Sequence, residues 1–232
     1  MIAVRKSTDR GYADHGWLRS YHSFSFADYY DPQEMAWGSL RVINEDRVLS
    51  GKGFGTHGHR DMEIISYVLE GQLQHQDSMG NGTVIQPGDV QRMSAGTGVQ
   101  HSEFNPSSSE PVHFLQIWIE PASLGMKPSY EQKFIASESK RGRLRLIASS
   151  DGREDSVKVH QNVDLYASLL DPDEQVSYRI ADGHLAYLHL VKGIISVNNT
   201  CLSSGDAAKI ESENELVIVA KEGSELLLFD LA

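Results

Sequence analysis

Cysteine is almost absent from this chain of 232 residues. Cys201 stands alone, so no intrachain disulfide and no Cys-rich zinc site can form, which suits a reducing compartment. By itself it reads as a small buried hydrophobe. Long apolar runs are missing too. The longest, such as Leu226 to Phe229, have strand length and fall far short of the roughly 18 residues of a membrane span, so no membrane association is expected. Met1-Ile2-Ala3-Val4-Arg5-Lys6 reaches charge at once and builds no apolar signal-peptide core, which gives the cytoplasm as the expected location. Positive charge is scarce: 21 Lys and Arg against 32 Asp and Glu leave a formal net charge of −11. A basic footprint for direct nucleic-acid binding is therefore not visible, while a protein partner stays compatible.

Helical periodicity is sparse as well, with Pro128 to Ala136 and Asp164 to Leu170 the best candidates and one short helix possible in the connector between Pro121 and Ser156. Short stretches rich in Val, Ile, Leu and Tyr recur instead, each bounded by Gly, Pro, Asn or Asp. They are Ser39 to Asn44, Met62 to Leu69, Val112 to Ile119, Leu144 to Ala148, Ala186 to Val191, Glu215 to Ala220 and Leu226 to Leu231. The expected class is mainly β, a sandwich or barrel, in one or two domains. The chain also repeats itself once. Ser66 to Gly71, then Pro87-Gly88-Asp89, then Val112 to Ile117 are echoed by Leu188 to Gly193, Ser204-Gly205-Asp206 and Leu226 to Leu231. The repeat lies in order and turn chemistry rather than in strict register. Two β-barrel modules are expected, at residues 1–135 and 136–232, with the connector between Pro121 and Ser156. The acidic stretch Glu211 to Glu215 reads as a solvated turn.

His57-Gly58-His59 offers two imidazoles on one face of a strand, since residues two apart point the same way. With ten histidines, chance supplies such a pair roughly 0.4 times, so it needs support. His101-Ser102-Glu103 supplies it, placing an imidazole and a carboxylate at the same spacing. On neighbouring strands the two pairs would form a site of three nitrogens and one oxygen. Glycines 51, 53 and 55 precede the first pair and glycines 96 and 98 the second, where backbone bends tightly. A satisfied polar cluster without an ion is the plainer alternative.

The spacing Gly51, His57, His59, Gly71 resembles the first cupin motif, and Gly98, His101, Asn105 the second. Trp17 to Pro32, Gly55 to Asn81, Met93 to Asn105, Gln116 to Ile119 and Tyr130 to Gln132 further resemble the pirin family, essentially end to end. This resemblance implies a bicupin of two antiparallel β-barrel domains, with one metal in the first and none in the second. It places the ligands at His57, His59, His101 and Glu103. It also implies two functions: quercetin 2,3-dioxygenase activity, associated with bacterial pirins, and iron-dependent transcriptional co-regulation, associated with the animal protein. Gly58 replaces the family's usual proline without removing a ligand. Glu63 is a reserve acid ligand. Placing Gly193 on Gly71 sets Arg179 and Ala181 where His57 and His59 stand, so the second half cannot hold the same ion.

The remaining histidines, including His75, His113, His160, His184 and His189, read as hydrogen-bonded or surface imidazoles. Phe24, Phe26, Tyr29 and Tyr30 read first as packing for the N-terminal strand and second as walls of a ligand pocket. Three neutral imidazoles and a carboxylate leave a divalent ion with open positions. The donors suit Fe(II), the expected ion, and also Mn, Co, Ni, Cu or Zn. The chemistry that the resemblance implies there is cleavage of a flavonol by dioxygen with release of carbon monoxide, with Glu103 expected to take the 3-hydroxyl proton as general base. Phe54, Met93 and Phe104 are the expected water-excluding groups at the mouth. A redox-sensing or protein-binding regulator using the same ligands is the rival class. A monomer is expected.

Overall fold

Alternation of apolar and polar residues drives more than half of the chain into strands. The computed structural model describes residues 1–232 and contains 22 of them. In chain order they begin with β1 (Ile2–Arg5), β2 (Gly11–Asp14), β3 (Leu18–His22), β4 (Leu40–Val48), β5 (Gly53–His59), β6 (Glu63–Glu70), β7 (Leu73–Asp77) and β8 (Gly82–Ile85). There follow β9 (Asp89–Ser94), β10 (Val99–Phe104), β11 (Val112–Ile119), β12 (Ser129–Phe134), β13 (Arg145–Ser149), β14 (Val157–Lys158) and β15 (Val163–Leu170). The last are β16 (Gln175–Arg179), β17 (Leu185–Lys192), β18 (Ile194–Val197), β19 (Thr200–Ser203), β20 (Ala207–Ile210), β21 (Glu215–Ala220) and β22 (Ser224–Leu231). Helix is limited to one turn, Ser137–Lys140, and two short 3-10 turns. No helix is long and apolar enough to cross a membrane.

Two compact units result. One comprises Gly11–Ile135 with Val157–Gln161, the other Met1–Arg10 with Ala136–Ser156 and Asn162–Ala232. The first unit has a seven-stranded sheet in the order β12-β9-β6-β11-β4-β3-β2 and a four-stranded sheet β5-β10-β7-β8. The second repeats this plan with β1-β20-β17-β22-β15-β13 and β16-β21-β18-β19. Every strand pairing within these sheets whose register is resolved is antiparallel. No backbone ladder joins the two sheets of a unit, so the architecture is a mainly β two-cupin fold of open sheets rather than the closed barrels expected. Each unit packs apolar side chains between its sheets. In the second, Ile195, Val197, Leu216 and Ile218 of the small sheet meet Leu188, Leu190, Leu226 and Leu228 of the large one.

The repeated turns have a physical cause. Gly71 and Gly193 close equivalent β6–β7 and β17–β18 turns with φ of +77° and +96°. A Cβ at either would lie 2.6 Å from Pro111 O or 2.2 Å from Ser224 Oγ, so only glycine fits. Both helix expectations fail. Pro128 to Ala136 contains the edge strand β12, paired with β9, and Asp164 to Leu170 lies in β15, held between β22 and β13. In β15 the buried residues Val163, Leu165 and Ala167 alternate, but buried Ser168 and Leu170 blur the period, and cross-strand pairing decides the outcome. Cys201 is exposed on the β18–β19 hairpin rather than buried.

Candidate metal centre

β10 is the strand that assembles the centre. Its burial alternates, so Val99, His101 and Glu103 point inward while Gln100 and Phe104 point out. On one side it pairs with β5, setting His101 opposite His57 and Val99 opposite His59. Between His101 and Glu103 the register slips, bringing Glu103 opposite Phe54. Such a bulge bends the strand and re-aims its side chains. On its other side β10 pairs with β7, setting Glu103 opposite His75 and His101 opposite Asp77.

The three imidazoles converge. His101 Nε2 lies 3.0 Å from His57 Nε2 and 3.0 Å from His59 Nε2. That spacing matches neighbouring donors at right angles on an ion with bonds of about 2.1 Å, which lie about 3.0 Å apart. His57 donates from Nδ1 to Gly55 O at 2.8 Å, which leaves its Nε2 lone pair free for the centre. Burial, with the neighbouring His57, pushes His59 down to about 4. Burial and the imidazoles of His57, His59 and His75 push His101 down to about 3. Both rings are therefore neutral near pH 7, with lone pairs available to a cation. Behind His101, its Nδ1 sits 3.5 Å from His75 Nδ1, and His75 Nε2 lies 3.2 Å from Asp77 Oδ2.

Glu103 is buried and accepts two hydrogen bonds, from Gln116 Nε2 at 2.7 Å and from Ser66 Oγ at 3.2 Å. Burial pushes its carboxyl above the usual range, and the bonds from Gln116 and Ser66 only partly offset this. Its partners belong to a row of polar residues in cross-strand register over the large sheet: Gln91, Ser66, Gln116, Asn44 and His22 on β9, β6, β11, β4 and β3. His22 Nδ1 and Asn44 Oδ1 are 2.8 Å apart in that row. His57, His59 and His101 form one grouping of possible ligands, and Glu103 belongs to another, with His75 and His101; in each, one ligand atom per residue lies within 4.8 Å of the others.

His57, His59 and Glu103 open onto a cavity of about 440 Å³ inside the first unit. That is within the usual range for small-molecule pockets. Its apolar walls are Leu18, Phe26, Tyr29, Phe54 and Trp118, and its polar wall is Ser20, His22, Asn44, Asp46 and Gln116. Trp118 packs edge-on against both Phe26 and His59, with centroids 5.4 and 4.9 Å away. No Lys or Arg lines the cavity, yet two buried carboxyls do. Burial pushes Asp46 up to about 7, Glu103 and Glu45 adding to the effect. The donor set and the missing positive charge thus fit a divalent cation.

Other expectations divide. Phe54 lines the cavity, but Met93 is fully buried with Ile64, Ala95 and Val99, and Phe104 points outward on the opposite pleat from Glu103. Phe26 and Tyr29 do wall the cavity, while Phe24 is core and Tyr30 is exposed. Glu63 is engaged elsewhere, by Ser94 Oγ at 2.9 Å and by His160, whose backbone N–H lies at 3.0 Å and Nδ1 at 3.2 Å. Sequence reasoning missed Trp118, Gln116, Ser66, Asn44 and Asp46. The available signal was polar residues interrupting otherwise apolar strands, Gln116 within Phe114 to Ile119 and Asn44-Glu45-Asp46 within Leu40–Val48.

Comparison with known proteins agrees with this geometry. Residues 3–119 match the Pirin family model, and residues 146–231 match the model described as Quercetinase C-terminal cupin domain. A protein named quercetin 2,3-dioxygenase from Escherichia coli strain K12 is 50% identical over 232 residues, covering 100% of this chain and 99% of that one. A pirin-like protein from Caulobacter vibrioides is 40% identical over 98% of this chain and 99% of its own. The crystal structure of bacterial pirin YhhW from Escherichia coli in complex with nickel(II) superposes with a TM-score of 0.95 at 49% identity, covering 100% and 99% of the two chains. The chain belongs to the pirin family.

Proposed function

We propose that the protein is a metal-dependent dioxygenase that cleaves a flavonol such as quercetin with dioxygen and releases carbon monoxide. The observation that carries this reading is the convergence of the His57, His59 and His101 imidazoles, with Glu103 grouped beside His101, next to an aromatic-lined cavity onto which His57, His59 and Glu103 open. The relative named quercetin 2,3-dioxygenase and the nickel complex of a bacterial pirin support it. His57, His59, His101 and Glu103 would hold one divalent ion. When bound, that ion would supply the Lewis acidity that makes a coordinated hydroxyl acidic and would bring dioxygen and substrate together.

The chain's own groups do the rest. Leu18, Phe26, Tyr29, Phe54 and Trp118 exclude water and take the faces of a flat ring. Glu103, which opens onto the cavity, removes the proton of the flavonol 3-hydroxyl. Gln116 and Ser66 hold the carboxyl in place during the transfer. Ring opening then incorporates both oxygen atoms into the product and expels one ring carbon as carbon monoxide.

Aerobic incubation of metal-loaded protein with quercetin tests the reading. Flavonol absorbance should decay with stoichiometric carbon monoxide, and Glu103→Gln should slow the decay about a hundredfold or more, within the usual range for losing a general base. Absence of turnover with Fe(II), Mn(II), Co(II), Ni(II), Cu(II) and Zn(II) alike would overturn it.

A further inference from the structure

Of the two buried carboxyls on the cavity wall, Glu103 belongs to the metal centre and Asp46 does not. Asp46 projects from β4 in the large sheet, where it pairs with Ser20 on β3 and Phe114 on β11. His57, His59 and His101 come from the small sheet. Asp46 is 4% exposed, and its Oδ1 has no hydrogen-bond partner. A buried acceptor without a donor is unfavourable, and such atoms are rare in folded proteins. Because Asp46 lines the cavity, a small rotation of its carboxyl presents this oxygen to a donor carried by the ligand.

The surroundings narrow that donor's chemistry. Phe26, Tyr29, Phe54 and Trp118 favour a flat aromatic ligand. An ammonium brings three N–H groups to satisfy, whereas a phenolic hydroxyl brings one, which suits a single open oxygen in a largely apolar space. We propose that Asp46 is a specificity-determining group that accepts a hydrogen bond from a phenolic hydroxyl of the substrate, on the wall formed by the opposite sheet from the histidines. This rests on the flavonol reading and deepens it. A ligand lacking the hydroxyl leaves Asp46 unpaired and is discriminated against, as in sites built around a buried hydrogen-bonding group.

The test compares anaerobic binding of quercetin and of 3-hydroxyflavone, which share the 3-hydroxyl but differ in their other hydroxyls. Dissociation constants come from fluorescence quenching of the metal-loaded protein. At pH 8.5, where Asp46 is ionised, wild type should prefer quercetin by about tenfold or more, the size expected for a hydrogen bond to a charged group. Asp46→Ala should bring the ratio close to one, and Asp46→Asn, nearly isosteric and carrying one carbonyl acceptor, should fall between. Metal content should be unchanged in both variants, and the Asn variant carries the test if the Ala variant folds poorly. A preference ratio equal in all three proteins would overturn this inference and leave the flavonol reading standing. Failure of wild type to bind either flavonol would remove both.

Discussion

The row of residues that supports Glu103 has a direct counterpart in the second unit, rung for rung. Across β9, β6, β11, β4 and β3 it reads Gln91, Ser66, Gln116, Asn44, His22. Across β20, β17, β22, β15 and β13 it reads Ala208, Leu188, Leu228, Tyr166, Leu146. Ser66 and Leu188 each stand five residues before their turn glycine, Gly71 or Gly193. One topology therefore accepts either an apolar or a polar rung. Opposite these rungs, the inward residues of β10 include His101 and Glu103, while those of β21 are Leu216, Ile218 and Ala220. The second unit shows that aliphatic burial, worth about 1.5 to 3 kcal/mol per large side chain, suffices for the fold. The polar rung of the first unit adds nothing the fold needs and carries a desolvation cost, so its explanation lies in the site.

The sharpest break of this comparison is a metal count. Elemental analysis should find about one ion per chain in wild type, all of it in the first unit, and His101→Ala should reduce this to nearly none. A second equivalent of ion surviving that substitution would mean the aliphatic unit also binds metal. The reverse experiment acts on stability. Leu228→Ala removes a fully buried side chain from the second unit and should cost about 2 to 5 kcal/mol in chemical denaturation. It should leave the metal content at the wild-type value.

How much of this was legible beforehand follows from which forces act locally. The histidine and glutamate pairs could be read because a two-residue period fixes which side chains share a face, and β5 and β10 keep that period around His57, His59 and His101. The repeated turns were legible because positive φ at Gly71 and Gly193 restricts the residue type. Met93 and Phe104 were misjudged because nearness in sequence to a ligand says nothing about the pleat. Asp46 and Gln116 were missed because their partners come from β3, β10 and β11, strands fixed only by long-range pairing. The short strand β12 fell to the same cause, since only its pairing with β9 separates it from a helix.

A comparable effect comes from pH. An unperturbed Asp titrates near 3.8, whereas burial, reinforced by Glu103 and Glu45 and opposed by Ser20, pushes Asp46 up to about 7. Between those values the folded state holds a proton that the unfolded state has lost, so Asp46 contributes stability below pH 4 that disappears as pH rises to about 7. Each unit of displacement is worth about 1.4 kcal/mol. In metal-free protein the stability of wild type relative to Asp46→Asn should therefore fall between pH 4 and pH 7 and level off above. A difference that stays constant over this range would show that Asp46 titrates as an ordinary surface carboxyl, with no tension built into the polar wall.

The smallest expected effect is at Ser66, where the two rungs differ by a hydroxyl against an isobutyl group. Ser66 Oγ lies 3.2 Å from Glu103 Oε1 and 3.0 Å from Gln116 Oε1, and its one proton can serve only one of them at a time. Ser66→Ala would leave Glu103 with Gln116 as its remaining side-chain donor, costing about 1 kcal/mol in the metal-free protein. Because groups that orient a ligand typically change metal affinity by 10- to 100-fold, the metal dissociation constant measured by chelator competition should rise by about tenfold. Leu188→Ala, at the matching rung, should show the opposite balance: a cost of about 2 to 5 kcal/mol in stability and no change in metal affinity. If Ser66→Ala instead left metal affinity unchanged and lost as much stability as Leu188→Ala, the polar rung would be holding the sheet together rather than aiming the carboxyl.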